Sequence, residues 1–171
     1  MSTVRKIRWF WAWQDVNEEE WLDEMSAQGL HLRRVNFPCF YHFEEGEPSS
    51  YVYRLDFKSS RRSDMDEYLQ IFEDAGWEHV GQFFNGWRYF RKAVVPGEKA
   101  EIYSDAESKI AKYNRLILFL VPFVPLLIFS TISLSDSAWS AVQTIDSLLL
   151  ILYIIIFVKL MQRVKDLKKQ L

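Results

Sequence analysis

The residues best suited to catalysis or metal binding are few in this chain and lie far apart. His31, His42 and His79 are its only histidines, and Cys39 is its only cysteine. None of them has another His or Cys at the short spacing of a zinc site, and no cationic setting that would favour a thiolate can be argued for Cys39. Gly-rich phosphate loops, Gly-x-Ser-x-Gly and His-Glu-x-x-His are absent. The sequence therefore predicts a protein that is not an enzyme and that holds no metal ion or cofactor.

Aromatic rings are the residues that remain as candidates for a binding site. Rings of this kind can stack on a flat molecule or attract a cation. The alternative is that they fill the core of a small domain, where large rings bury much surface. The predicted ligand-binding residues are Trp9, Trp11, Trp13, Tyr51, Tyr53, Trp77, Trp87 and Tyr89.

Two copies of one structural unit position these rings. One helix is predicted from Asn17, as its N-cap, to Gly29, and another from Ser63 to Gly76. Aligned on the terminal glycines, Trp21-Leu22 overlays Tyr68-Leu69. A strand is predicted before each helix and a hairpin after it, with Asn85-Gly86 as the second hairpin's turn. The predicted strands are Val4–Trp13 and Tyr51–Lys58 before the helices, then Leu30–Asn36 with Phe40–Glu44 and Trp77–Phe84 with Trp87–Lys92 after them.

Each copy thus reads strand-helix-strand-strand, over residues of about 4–45 and 50–93. The expected fold is α+β, with an antiparallel sheet and two helices on one face of it. Ile7, Trp9, Trp11 and Trp13 would share one side of the first strand. Apolar residues on both sides of the strands imply a sheet that is covered twice, or covered once with an open cleft.

A long apolar stretch follows this module. Between Arg115 and Lys159 the chain runs for 43 residues with two charges, Asp136 and Asp146. This pattern is typical of a transmembrane hairpin of two helices, and prolines such as Pro122 and Pro125 are tolerated there with a kink. The competing interpretation is a buried helical hairpin of a soluble protein, but nothing else in the chain is large enough to cover it.

Basic residues border both ends of the hairpin. They are Lys109, Lys112, Arg115, Lys159, Arg163, Lys165, Lys168 and Lys169. The predicted turn near Asp136 has none, and Trp139 beside it would anchor at the interface. The positive-inside rule then places both termini in the cytoplasm, which predicts a multi-pass protein of the bacterial cytoplasmic membrane.

Asp146 is the one residue that could give the hairpin a function beyond anchoring. A carboxylate within the membrane indicates a functional site unless a structural role explains it. The alternatives are that Asp146 reaches the nearby interface, or that it faces the partner helix and Thr131 or Ser133.

The predicted domain organisation has four parts. Residues 1–95 form the cytosolic module, 96–115 a helical stalk, 116–160 the hairpin and 161–171 a basic cytosolic tail. Pro96-Gly97 marks the first boundary, and a capping box at Ser104-Asp105 begins the stalk. Trp87–Lys92 and Ser60–Arg62 mix bases with other residues, but 23 acidic against 21 basic residues argue against nucleic acid as a partner.

Three stretches carry a family resemblance: Glu18 to Leu32, Tyr51 to Phe57, and Phe72 to Glu78. With them, residues from about 5 to 160 resemble a bacterial family of unknown function found largely in Firmicutes. Its members join such a module to C-terminal membrane segments and are often encoded beside a PadR-type transcriptional regulator. The double strand-helix-strand-strand plan is also similar, by topology alone, to tandem-repeat effector-binding domains related to the gyrase inhibitory protein, which bind small aromatic or cationic compounds between their copies.

The resulting hypothesis is a membrane-anchored, non-enzymatic module that senses a small hydrophobic ligand or binds a partner peptide. A second hypothesis is a structural or regulatory subunit that packs through its hairpin, at Asp146 and the proline kink, with another membrane protein. A third is a sensor of membrane stress. The sequence does not predict an oligomeric state.

Overall fold

The computed structural model describes residues 3–58, 63–84, 86–94, 101–103, 106–133 and 140–169. The chain divides into two compact units, Met1–Ser104 and Asp105–Leu171. The N-terminal unit is α+β, with antiparallel strands and two helices, and the C-terminal unit consists of apolar helices. The predicted fold class is confirmed. The turn at Asp136 and Trp139, the boundary at Pro96-Gly97, the capping box at Ser104-Asp105, Asn85 and the bases in 60–62 lie outside the described residues.

The N-terminal unit is built from the two predicted repeats. The elements of the first are β1 (Thr3–Ile7), α1 (Asp15–Ala27), β2 (Leu30–Asn36) and β3 (Phe40–Glu45). Those of the second are β4 (Tyr51–Phe57), α2 (Ser63–Asp74), β5 (Glu78–Phe83) and β6 (Trp87–Ala93).

The same backbone features recur at matching positions of the two repeats. Each helix is followed by a glycine in the left-handed region, Gly29 at φ 79° and Gly76 at φ 80°, as the sequence predicts. Each following strand then has an irregularity at the same place, between Leu32 and Arg34 in β2 and between His79 and Gly81 in β5. Such bulges re-aim a strand locally, so both copies bend where β2 and β5 lie side by side.

The six strands form two sheets rather than the single predicted sheet. The first sheet has the order β1-β3-β2 and the second β4-β6-β5, all antiparallel. Helix α1 packs against both sheets, and its Leu22 is fully buried with Phe43 of the first sheet and Leu55 of the second. Helix α2 packs on the other face of the second sheet, around Phe90. The second sheet is therefore covered twice, which is one of the two outcomes expected from its apolar faces.

The first strand is shorter than predicted. The prediction ran from Val4 to Trp13, but β1 ends at Ile7 and residues 8–14 are not in a strand. Phe10 leaves the strand alternation to pack on Trp21 and Tyr41. Helix α1 also begins earlier than predicted, at Asp15, after Gln14 rather than Asn17 as the N-cap. Tertiary burial of Phe10 thus overrides the period-two pattern of this segment.

The C-terminal unit contains α3 (Ala106–Leu120), α4 (Phe123–Ser133) and α5 (Ser140–Lys168). Two helical stretches, Ala106–Ser130 and Val142–Lys168, are long and apolar enough to cross a membrane. Their most apolar windows are only 11% and 6% buried, whereas a core helix of a soluble protein is mostly buried. The unit therefore has the features of a membrane-associated helical hairpin.

Pro122 separates α3 from α4, and α5 compensates for the break. The amide of Val124 donates to the carbonyl of Val121 at 3.1 Å instead of continuing the α-helical pattern to Leu120. The hydroxyl of Tyr153, on α5, donates to the carbonyl oxygen of Leu120. A neighbouring helix thereby donates a hydrogen bond to a backbone carbonyl that would have no water as a partner inside a bilayer.

Removing this hydroxyl should loosen the break locally. In Tyr153→Phe, we expect backbone amides around residues 121–127 to exchange hydrogen about threefold to eighteenfold faster, since hydrogen bonds between membrane helices contribute about 0.6–1.7 kcal/mol. Hydrogen exchange of the full chain in lipid nanodiscs, read by mass spectrometry, measures this. The control is Phe129→Leu, because the Phe129 ring is 70% exposed on the hairpin surface. Equal exchange in wild type and Tyr153→Phe would show that the bond contributes nothing.

Candidate functional site

A groove lies between the two hairpin turns of the N-terminal unit. One wall follows the end of β2 and the turn into β3, and the other follows the end of β5 and the turn into β6. The groove has a volume of about 460 Å³ and is lined by Val35, Asn36, Phe37, Gln82, Phe83 and Phe84. This volume falls within the range of small-molecule sites, about 300–1,000 Å³.

Two exposed phenylalanines contact each other at the groove. Phe37 follows Gly29 by eight positions and Phe84 follows Gly76 by eight, so the two occupy the same place in the two repeats. Their rings are 5.6 Å apart at an angle of 58°. Phe37 is 68% exposed and Phe84 62%, although rings of this size are usually buried. Phe84 also has φ of 50°, an uncommon backbone conformation for a non-glycine residue.

The groove combines aromatic rings with polar surface. None of the described residues that line it is charged, and Asn36 and Gln82 carry its polar side chains. Both amides are held in place, since Asn36 Nδ2 lies 3.3 Å from His42 Nε2 and Gln82 Oε1 accepts from Arg88. A flat apolar molecule could therefore contact the rings while two fixed amides orient it.

The predicted aromatic residues lie in several places. Trp9, Trp11 and Trp13 contact one another in the segment after β1. Trp9 and Trp11 meet edge to face at 5.5 Å, and Trp11 and Trp13 stack at 5.3 Å. The three rings thus form a small stack of their own, with Trp9 56% exposed.

The remaining five rings are buried or half-buried in the core: Tyr51, Tyr53, Trp87 and Tyr89 belong to one cluster and Trp77 to another. Tyr53, Trp77 and Tyr89 are core residues, at 1%, 4% and 2% exposure. Trp87 packs on Phe57 at 5.6 Å. Tyr51 lies under the Arg91 guanidinium at 4.9 Å and borders a separate polar pocket of about 230 Å³. The structure therefore does not bring the eight predicted rings together around one ligand site.

Phe37 and Phe84 were missed by reasoning from the sequence, although a signal existed. The alignment on Gly29 and Gly76 that revealed the repeats also overlays these two residues. Each is an apolar ring in a turn, beside Pro38 or ahead of Gly86, where polar residues are usual. Cys39, next to this turn, is buried as expected, and burial raises the pKa of its thiol.

A buried carboxylate joins the two sheets. Glu18 is 8% exposed, and its Oε1 accepts from the hydroxyl of Tyr41 in β3 at 2.7 Å and of Tyr89 in β6 at 2.6 Å. Glu18 stands in the first turn of α1, where a carboxylate complements the helix dipole, but its position between the sheets also buries it. Burial raises the pKa of Glu18 to about 7, although the two tyrosine hydrogen bonds oppose this.

Two further acids of α1 cover the free edge of β4. Glu19 Oε1 accepts from the backbone N–H of Leu55 at 2.8 Å, and Asp23 Oδ1 accepts from that of Tyr53 at 2.5 Å. Arg54 lies near both carboxylates, with nitrogen–oxygen distances of 3.9 Å to Glu19 and 3.6 Å to Asp23. An exposed strand edge invites aggregation, so α1 serves as its cover.

Asp146 faces the partner helix of the hairpin. It is 9% exposed, and its Oδ1 accepts from the hydroxyl of Ser130 in α4 at 2.6 Å. Ser130 also donates to the carbonyl of Leu127 at 3.0 Å. Of the alternatives for Asp146, the contact with the partner helix is thus observed, through Ser130. The side chains of Thr131 and Ser133 lie outside the described part of the structure.

The fold and the groove define a class of protein: a two-repeat α+β module joined to a hairpin of apolar helices. A family model described as "Protein of unknown function (DUF2812)" matches residues 14–124. The chain belongs to this family. The match begins after the tryptophan segment, which therefore lies outside it. Neither a curated protein nor a solved structure matches the chain.

The buried Glu18 should make stability fall as pH rises. Its pKa is raised from 4.5 to about 7 on folding, so between these values the folded protein binds a proton that the unfolded chain has released. The stabilisation is complete below about pH 4.5 and is lost as pH rises through about 7, which amounts to about 3 kcal/mol. Asp23, with a pKa raised to about 6 mainly by burial, acts in the same direction.

The measurement compares wild type and Glu18→Gln by urea unfolding of the full chain in detergent micelles from pH 4.5 to 8. We expect the difference between their free energies of unfolding to change by about 3 kcal/mol over this range. The exposed Glu24→Gln serves as the control and should leave the profile unchanged. Parallel profiles for wild type and Glu18→Gln would contradict the assignment.

Proposed function

We propose that the protein is a membrane-anchored, non-enzymatic module that recognises a small hydrophobic or aromatic molecule at the groove lined by Phe37 and Phe84. The observation that carries this proposal is the pair of exposed rings, one from each repeat, that contact each other and line an open cavity. The exposure of two aromatic side chains at equivalent positions is better explained by ligand binding than by a role in stability, because neither ring belongs to the core.

The apolar helices of the hairpin support membrane anchoring, which is the second part of the proposal. The two apolar stretches would hold the chain in the bacterial cytoplasmic membrane, and the basic residues at both ends would keep the termini in the cytoplasm. A ligand with an apolar surface would concentrate at a bilayer, so a groove on a tethered module would sample it efficiently. The resemblance noted above adds a regulatory setting, in which binding is linked to a PadR-type transcriptional regulator.

A small molecule fits the groove better than a peptide strand does. Peptide strands are usually held by backbone hydrogen bonds along a sheet edge. The residues that line this groove present rings and two amides instead. A partner peptide stays an alternative outcome of the binding experiment.

The proposal predicts saturable binding that depends on both rings. The full chain in lipid nanodiscs is titrated with tetraphenylphosphonium, naphthalene and 8-anilinonaphthalene-1-sulfonate by calorimetry, with empty nanodiscs as the blank. We expect at least one probe to bind, and the double variant Phe37→Ala/Phe84→Ala to bind it at least about tenfold more weakly, since each ring stacked on a ligand contributes about 0.5–1.5 kcal/mol beyond its buried area.

The matched control is Ile71→Ala, which removes another exposed apolar side chain of the same unit, 61% exposed on α2. This variant should bind like wild type. Absence of saturable binding for the whole panel, or equal loss in the control, would overturn the proposal.

A second function, a subunit that packs on another membrane protein, is supported by one observation. The break between α3 and α4 leaves an apolar cavity of about 320 Å³ on the hairpin. Its walls include Leu120, Phe123, Leu126, Leu149, Leu152 and Ile156. A side chain from a partner helix would fill such a space.

Filling the cavity from within tests this second function. Leu152→Trp should abolish co-purification of a partner in mild detergent, because the larger ring occupies the space that the partner needs. Phe129→Trp, at a residue 70% exposed on the hairpin surface, is the control and should retain the partner. A lone monomer in wild type, unchanged by Asp146→Asn, would argue against this function.

A further inference from the structure

The two helices of the N-terminal unit use their surfaces differently. Helix α1 contacts the first sheet with one side and the second sheet with the other, where Glu19 and Asp23 accept from the edge of β4. In the described part of the chain, helix α2 contacts one sheet only, through Tyr68 and Phe72. Among the described strands, none covers the surface of α2 that corresponds to the second contact of α1.

The alignment of the repeats shows which α2 residues occupy that surface. Counted from the terminal glycines, Asp66 corresponds to Glu19 and Gln70 to Asp23. Both Asp66 and Gln70 are exposed. They are oxygen-bearing side chains, as Glu19 and Asp23 are, so α2 carries acceptors at the positions that α1 uses to cover a strand edge.

The first sheet has the matching open surface. Through the strand registers, Arg5 of β1 corresponds to Leu55 of β4, and His42 of β3 corresponds to Tyr89 of β6. Leu55 and Tyr89 are buried against α1, whereas Arg5 is exposed and His42 half-buried. In the described part of the chain β1 pairs with β3 alone, so its outer edge corresponds to the edge of β4 that α1 covers.

The charges of the two open surfaces are opposite. Helix α2 contains five acidic residues and no basic one. The open face of the first sheet carries Arg5 and Arg34, whose side chains lie on either side of His42. Partial desolvation and then these two cations lower the pKa of His42, as expected of an electropositive surface.

We propose that α2 of one copy docks on the open face and edge of the first sheet in a second copy of this chain. Asp66 and Gln70 would accept from the edge of β1 as Glu19 and Asp23 do from β4, and Asp66 and Glu67 would meet Arg5 and Arg34. The contact joins two different surfaces, so it is heterologous and can continue from copy to copy along the membrane. This inference concerns a surface that adjoins the groove at Asn36, and it does not rest on the proposed function.

Complementary charge reversals test the proposal. The sheet variant is Arg5→Glu/Arg34→Glu, and the helix variant is Asp66→Lys/Glu67→Lys. Each variant retains one intact surface. Wild type, each variant and their equimolar mixture are compared as full chains in detergent micelles by analytical ultracentrifugation over a range of concentrations. The control, Glu20→Lys/Glu24→Lys, makes the same charge change as the helix variant, but at exposed positions of α1.

Wild type and the control are expected to form oligomers that grow with concentration and dissociate as sodium chloride is raised, since salt screens exposed charges. Each variant alone should have a dissociation constant at least about tenfold higher. The mixture should form oligomers again, because the intact helix surface of the sheet variant meets the intact sheet surface of the helix variant, and the two reversed surfaces also carry opposite charges.

Several results would overturn the proposal. Wild type that stays monomeric at every concentration excludes the contact, and oligomers that persist unchanged in both variants assign association to the hairpin. Oligomers of wild type that do not dissociate as sodium chloride is raised would also assign association to the hairpin. This salt series needs no substitution, so it can overturn the proposal even if a variant fails to fold. A mixture that forms no oligomers would show that the two surfaces do not meet.

Discussion

The N-terminal unit depends on the carboxylates that α1 inserts between the two sheets. The edge of β4 presents backbone N–H groups next to the core, where an unpaired donor costs about 1–3 kcal/mol. Glu19 and Asp23 accept from two of these groups, and Glu18 accepts from tyrosines of both sheets. Because these bonds have fixed geometry, they determine where α1 lies. The position of α1 in turn determines how far apart the sheets are.

The cost of this arrangement is the burial of several carboxylates. Arg54 approaches Glu19 and Asp23, but Glu18 has only hydroxyl donors and another acid, Asp15, near it. Its raised pKa is the physical consequence, since the neutral form is favoured where no cation compensates burial. The helix that holds the unit together is thus also its most pH-sensitive element.

Repetition of the strand-helix-strand-strand unit does not lead to repetition of its environment. Phe43 and Phe90 occupy equivalent positions, and each packs on the helix of its own repeat. Among the described elements, however, only the second sheet receives a helix on its opposite face. At matching positions of that face, Leu55 of the second repeat is apolar whereas Arg5 of the first is charged. The same backbone therefore yields one sheet covered twice and one with an open side.

The sequence by itself determined the elements and the membrane hairpin. Helix ends at Gly29 and Gly76, the hairpin strands after them and the break at Pro122 follow from local rules of backbone conformation, and the apolar runs follow from length and composition. Only the tertiary structure decided which residues those elements bring together. The path of residues 8–14, the burial of Glu18 and the pairing of Phe37 with Phe84 depend on contacts between distant segments. Spacing along one strand or helix carries no information about such contacts, because they form only when two sheets and the helix between them are packed.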